Sequence, residues 1–61
     1  MKELKEYREK LNLTQEKMAE RWGISKSYYE KMENGQRIPG TNALKKIKQV
    51  DPKFDVTIFL N

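Results

Sequence analysis

The 61 residues include no cysteine and no histidine. Without cysteine, neither a disulfide nor a thiolate metal site can hold the fold, and the absence suits a reducing compartment. Without histidine, the commonest general base and metal ligand is missing. The three glycines form no phosphate-cradling loop, and no nucleophile stands in a recognisable pairing with a base. An enzyme is therefore not expected, and no cofactor, metal or small-molecule substrate is implied. The longest apolar run, Val56 to Leu60, is broken by Thr57 and falls far short of the roughly 18 residues of a membrane span. Met1-Lys2-Glu3 leads into charged sequence, which does not read as a signal peptide. No row of aromatics suggests a stacking platform for single strands.

A chain this short reads as one domain over residues 1–61, too small for a deep catalytic cleft and of marginal stability. Its net charge is +4, unevenly spread. Residues 1–24 carry six basic and five acidic side chains, nearly a balance. Residues 25–48 carry Lys26, Lys31, Arg37, Lys45, Lys46 and Lys48 against only Glu30 and Glu33. Residues 49–61 return to a slight acidic excess. A basic excess in one segment is the footprint of a polyanion binder, although charge alone favours nucleic acid only weakly.

Apolar periodicity and capping residues divide the chain into four helices. Leu4, Tyr7, Arg8 and Leu11 share one face of a helix over about residues 2–11, with Asn12 as a left-handed end. Thr14 caps a second helix to about Trp22, with Leu13 and Met18 spaced as a hydrophobic staple. Gly23 permits a tight turn at positive φ. Ser25 caps a third helix to about Glu33, stopped by Asn34-Gly35, both tolerant of left-handed geometry. Tyr29, Met32 and Glu33 fall on one side of it; Ser27, Glu30, Lys31 and Asn34 fall on the other, flanked by Lys26 and Tyr28. After a loop from Gln36 to Gly40, Thr41 is expected to cap a fourth helix to about Val50, which Asp51-Pro52 ends. Leu44 and Ile47 point inward. The tail reads as a short helix capped by Asp55, with Phe54 and Phe59 stapled across the cap, in preference to the strand that Val56, Thr57, Ile58 and Phe59 would also suit.

The informative stretch is Leu13 to Gly35: two short capped helices joined by a glycine turn, the second with a buried side and a polar, basic side. A helix of that kind fits the major groove of B-DNA. Here the sequence closely resembles the Cro/Xre-type helix-turn-helix family, the phage repressor and Cro-like DNA-binding proteins, over about residues 4–50. The resemblance rests on Leu13-Thr14-Gln15, on Ala19 followed four residues later by Gly23, on Ile24-Ser25, on Glu33-Asn34-Gly35 and on Pro39, all in order and spacing. It implies an all-α fold, a compact bundle of four to five helices like the lambda repressor DNA-binding domain, with Ala19 small because two helices cross there. It also implies roles. Gln15 would bond a phosphate and brace a base-reading side chain. Lys26, Ser27 and Lys31 would reach base edges, Tyr28 would lie near the backbone or a thymine methyl, Asn34 would touch phosphate, and Arg37 would contact the backbone from the following loop. Arg8 and Glu33 resemble the family's ion pair between the first and third helices.

Each role has a plainer counterpart. Lys26 and Lys31 suit the acceptor-only edge of guanine, or simply neutralise phosphate. Glu30 would repel DNA unless it accepts from a cytosine amino group or pairs with Lys26; it is equally read as a solvated charge. Tyr7, Trp22 and Tyr29 read as core aromatics. Lys2, Lys5 and Lys10 alternate with Glu3, Glu6 and Glu9, most simply a solvated helix face, and Lys45, Lys46 and Lys48 face either phosphate or solvent.

The function expected is sequence-specific binding of double-stranded DNA through the major groove, by a small Cro-like repressor in the bacterial cytoplasm, associated with the nucleoid when bound. One recognition helix reads too few base pairs, so a homodimer on a palindrome is expected. The apolar tail Phe54, Val56, Ile58, Phe59 and Leu60 is the candidate interface, or else closes the core. The alternative is a protein-interaction module, an antitoxin or antirepressor, against which the basic outer side of the third helix counts. The short length suits a Cro-type protein or a minimal controller better than a two-domain repressor, and an excised DNA-binding domain of something larger is the other reading.

Overall fold

A computed structural model describes residues 1–60. Helix α1 spans Lys2–Lys10, α2 Gln15–Trp22, α3 Lys26–Glu33 and α4 Thr41–Val50, and a 3₁₀ helix over Val56–Leu60 closes the chain. There is no strand among the described residues. The tail is thus helical, in the tighter 3₁₀ form that suits a single short turn.

Local chemistry sets the boundaries. Asn12 takes φ 58° and turns the chain out of α1. The Thr14 hydroxyl accepts from the Lys17 N–H at 3.1 Å, satisfying one orphan amide of α2. Gly23 adopts φ 68°, and the Ile24 N–H returns to the Ala19 carbonyl at 3.0 Å, closing the left-handed cap. The Ser25 hydroxyl then accepts from the Tyr28 N–H at 3.1 Å. Three residues therefore suffice to end one helix and start the next. Helix α3 stops at Asn34-Gly35 as expected, and one expected cap, that of α4, differs. Asn34 stays right-handed, and Gly35, at φ 76°, makes the left-handed turn, because glycine adopts it with no Cβ clash. Gly40, not Thr41, is the N-cap of α4; Thr41 already lies in the first turn, and no side chain caps that end.

The core consists of Leu4, Met18, Ala19, Trp22, Tyr29, Met32, Ile47, Phe54 and Phe59. Each large side chain among them contributes about 1.5–3 kcal/mol of burial. Trp22 is central: its ring centroid lies 5.8 Å from Tyr29 and 5.5 Å from Phe54. Phe54 also packs on Tyr7 at 4.7 Å and on Phe59 at 6.1 Å. Phe54 and Phe59 therefore close the core, the second of the two roles open to the apolar tail. Val56 and Ile58 are half-buried, and only Leu60 is well exposed, at 73%.

A buried carboxylate ties the far end of the bundle. Asp51, at the C-terminus of α4, accepts from the Trp22 indole N–H at 2.6 Å, the Tyr7 hydroxyl at 2.7 Å and the Arg21 guanidinium at 2.6 and 3.0 Å. These bonds, Arg21's foremost, hold its carboxyl down to about 2 against the opposing effect of burial. Arg21 is 38% exposed, so part of its attraction is screened by water.

Because the folded pKa lies below the ordinary carboxylate value, the stabilisation from Asp51 is fully present above pH ~4 and is lost as pH falls toward 2. Thermal melts between pH 7 and 2 should show this acid limb. Asp51→Asn should lower Tm at pH 7 by roughly 10 °C, for about 2 kcal/mol of lost interaction, and make the acid limb shallower. An unchanged acid limb in the variant would remove Asp51 as its cause.

Candidate nucleic-acid interface

Helix α3 has eight residues and two contrasting sides. Tyr29, Met32 and Glu33 are buried, while Lys26, Ser27, Lys31 and Asn34 are exposed. The polar and basic positions expected to meet DNA are thus brought together on the open side of one helix. Glu30 is half-buried, and among the described residues no ion pair joins it to Lys26.

What fixes this helix is the carboxylate of Glu33. Arg8 of α1 donates Nε to it at 2.7 Å, Gln15 of α2 donates Nε2 at 3.0 Å, and the Tyr29 hydroxyl donates at 2.6 Å. Burial, the largest single influence, pushes this carboxyl up; the bonds from Arg8, Tyr29 and Gln15 outweigh it and leave the group more acidic than usual. The same site pushes the Tyr29 hydroxyl far up, through burial first and Glu33 next, so Tyr29 remains a neutral donor. Arg8 also donates Nη1 to the Leu13 carbonyl at 2.8 Å, bracing the turn that leads into α2. The expected Arg8–Glu33 pair is present, but it is one part of a larger cluster.

Gln15 is anchored in this cluster. A carboxylate only accepts, so the amide nitrogen must face Glu33, and the second amide N–H and the carbonyl remain available. Tyr28 and Arg37 are also tied. The Tyr28 hydroxyl accepts from the Gly40 N–H at 3.0 Å, and the Arg37 guanidinium lies 4.3 Å over its ring. The Gly40 bond, and then Arg37, make this phenol more acidic than usual. Together they hold the loop between α3 and α4 against α3, and the Tyr28 hydroxyl keeps its own proton to donate. Lys45, Lys46 and Lys48 are exposed, and the Lys46 stem lies over Gly23, with Cε 3.3 Å from where a Cβ there would sit.

The Asp51 cluster escapes sequence reading, which treats Asp51 only as a helix stop. The anchoring of Gln15 by Glu33 escapes it too. Helical spacing relates residues within one helix, and both clusters join side chains from different helices. Among the described residues no group of acidic side chains could hold a metal ion, and no helix is long and apolar enough to cross a membrane.

A family model described as helix-turn-helix matches residues 4–50. The chain belongs to the Cro/C1-type helix-turn-helix family. It is accordingly a DNA-binding regulator of transcription, in a family of regulators rather than of enzymes. No curated protein and no solved structure matches it.

The Glu33 cluster generates a paired test. Arg8→Met leaves a buried carboxylate short of its counter-charge and should cost about 3–5 kcal/mol, enough to leave a domain of this size largely unfolded. Adding Glu33→Leu should recover most of that loss in a urea titration, because no charge is then stranded. Equal instability of the single and double variants would rule out the stranded charge as the cause.

Proposed function

We propose that this regulator is a small Cro-like repressor that binds a palindromic operator as a homodimer. The observation that carries the proposal is the open side of α3, where Lys26, Ser27 and Lys31 stand exposed on a helix whose other side is fixed by Met32, Tyr29 and the Glu33 cluster. In this reading Lys26, Ser27 and Lys31 meet base edges, the lysines donating to guanine O6 and N7. Gln15 uses its remaining amide N–H on a phosphate, and Asn34 and Arg37 contact the backbone just past the C-terminal end of α3. Tyr28 donates its hydroxyl to the backbone or offers its ring edge to a thymine methyl. Occupancy alone excludes polymerase, so repression needs no further surface. The setting is the bacterial cytoplasm, on the nucleoid when bound.

Dimerisation follows from the need for specificity. Two α3 helices about 34 Å apart read successive major grooves on one face of the duplex. With Phe54 and Phe59 occupied in the core, the contact falls to Leu60 with the half-buried Val56 and Ile58. So small an apolar area supports a weak dimer that DNA completes.

Selection from a random duplex library at near-physiological salt should enrich a palindrome with half-sites one turn apart. Lys31→Ala should relax preference at one position of that site, a loss of about 1–3 kcal/mol against the preferred base. Even weakening across all sequences, with a salt slope lower by about one, would instead place Lys31 on phosphate. A single enriched half-site would argue for a monomer. No enrichment would sink the operator-reading role and favour a module that binds a protein partner.

A further inference from the structure

Helix α1 reads in sequence as alternating charge, but the fold places most of those charges around two separate depressions. Lys2, Lys5 and Arg8 line a depression shared with Gln15, Glu33 and Asn34. Glu3, Glu6 and Lys10 line a different groove, against Lys53, Phe54 and Asp55 of the tail. The depression on the first side is bounded by the start of α2 and the end of α3, the two places from which Gln15 and Asn34 approach the DNA backbone in the proposed complex. Its one carboxylate, Glu33, is engaged by Arg8, Gln15 and Tyr29. Arg8 is in turn spent on Glu33 and Leu13. Lys2 and Lys5 are exposed, one helical turn apart, and neither forms an ion pair among the described residues. Two free ammonium groups therefore flank two amide side chains around a pocket whose negative charge is already neutralised.

We propose that Lys2 and Lys5, with Gln15 and Asn34, form a binding site for the phosphodiester backbone of duplex DNA, flanking the base pairs that α3 reads. The proposal rests on the DNA-binding reading above and extends the footprint to α1. The ligand is phosphate held in a strand, recognised by charge and amide donors and indifferent to base identity. Each lysine adds roughly one released counterion, so the pair steepens the salt dependence of binding and lengthens the protected segment without altering the preferred sequence.

The test compares two charge-matched variants of the full chain on the selected operator and on a scrambled duplex, by anisotropy titration across a salt series. Lys2→Gln/Lys5→Gln removes the site, and Lys10→Gln/Lys53→Gln removes two positive charges from the opposite groove. All four lysines are exposed, so equal thermal melts are expected and confirm folding. In the first variant the slope of log K against log salt should fall in magnitude by about two, with binding weaker on both duplexes by a similar factor and the preferred sequence unchanged. In the second the slope should hold near that of the parent chain. Equal slopes for the two variants would overturn the site and leave only net charge. A loss confined to the operator would also overturn it, because a phosphate site cannot discriminate sequence. Failure of the parent chain to bind any duplex would instead sink the DNA-binding reading, and this site with it.

Discussion

The buried carboxylate of Glu33 is the constraint on which the placement of α3 depends. It lies at the C-terminus of α3, the end where the helix dipole disfavours a negative charge. It is also out of water, where an unpaired charge is very costly. Only the convergence of Arg8, Gln15 and Tyr29 makes the position tenable, and those three side chains come from α1, α2 and α3. Satisfying one carboxylate thus fixes α3 relative to both α1 and α2. The same bonds orient Gln15, so a stability device and a candidate contact residue cannot be separated.

Asp51 repeats the logic at the other end. It too is an acidic residue at a helix C-terminus, and it too is clamped by an arginine and an aromatic donor. The two clusters draw on adjacent residues of α1, Tyr7 for Asp51 and Arg8 for Glu33, and on opposite ends of α2, Arg21 and Gln15. Helix α2 is consequently pinned at both ends while Met18, Ala19 and Trp22 pack its middle. For a chain with a small apolar core and no disulfide, this is how a short helix becomes a rigid strut. Polar clusters of this kind add orientation that apolar burial alone, being non-directional, does not provide.

Much of this was legible in the sequence because it is local. Caps at Thr14 and Ser25, the left-handed turn at Gly23 and the inward Met18, Ala19, Trp22, Tyr29, Met32 and Ile47 all follow from spacing and side-chain chemistry within one or two turns. The Arg8–Glu33 pair was legible only through family resemblance, since nothing local links residues 25 positions apart. The cap of α4 was misplaced by one residue: Thr41 is the better capping side chain, yet the backbone enters the helix at Gly40. The tail was ambiguous for a physical reason. Val56, Ile58 and Phe59 suit a strand, but no neighbouring strand exists among the described residues to complete a ladder, and a single turn that seats Phe59 against Phe54 satisfies the backbone locally. Phe54 looked like an interface residue only because the sequence does not reveal that Trp22 and Tyr7 lie beside it.

Charge on α1 shows most clearly what sequence spacing conceals. Lysines and glutamates that follow one another in sequence look like a mixed, solvated surface. A helix advances about 100° per residue, however, so neighbours in sequence diverge, and residues three apart converge. Lys2, Lys5 and Arg8 drift together toward α2 and α3, while Glu3 and Glu6 turn toward the tail. The near balance of charge along α1, four basic against three acidic side chains, therefore hides two unlike depressions. A local field is set by the charges on one side and by the low-dielectric wall behind them, not by the segment's total. Lys2 and Lys5 share a depression with Gln15 and Asn34, so the exposed lysines beside the end of α3 are not confined to α3. They extend onto the face of α1 whose alternating lysines and glutamates read, in sequence, as merely solvated.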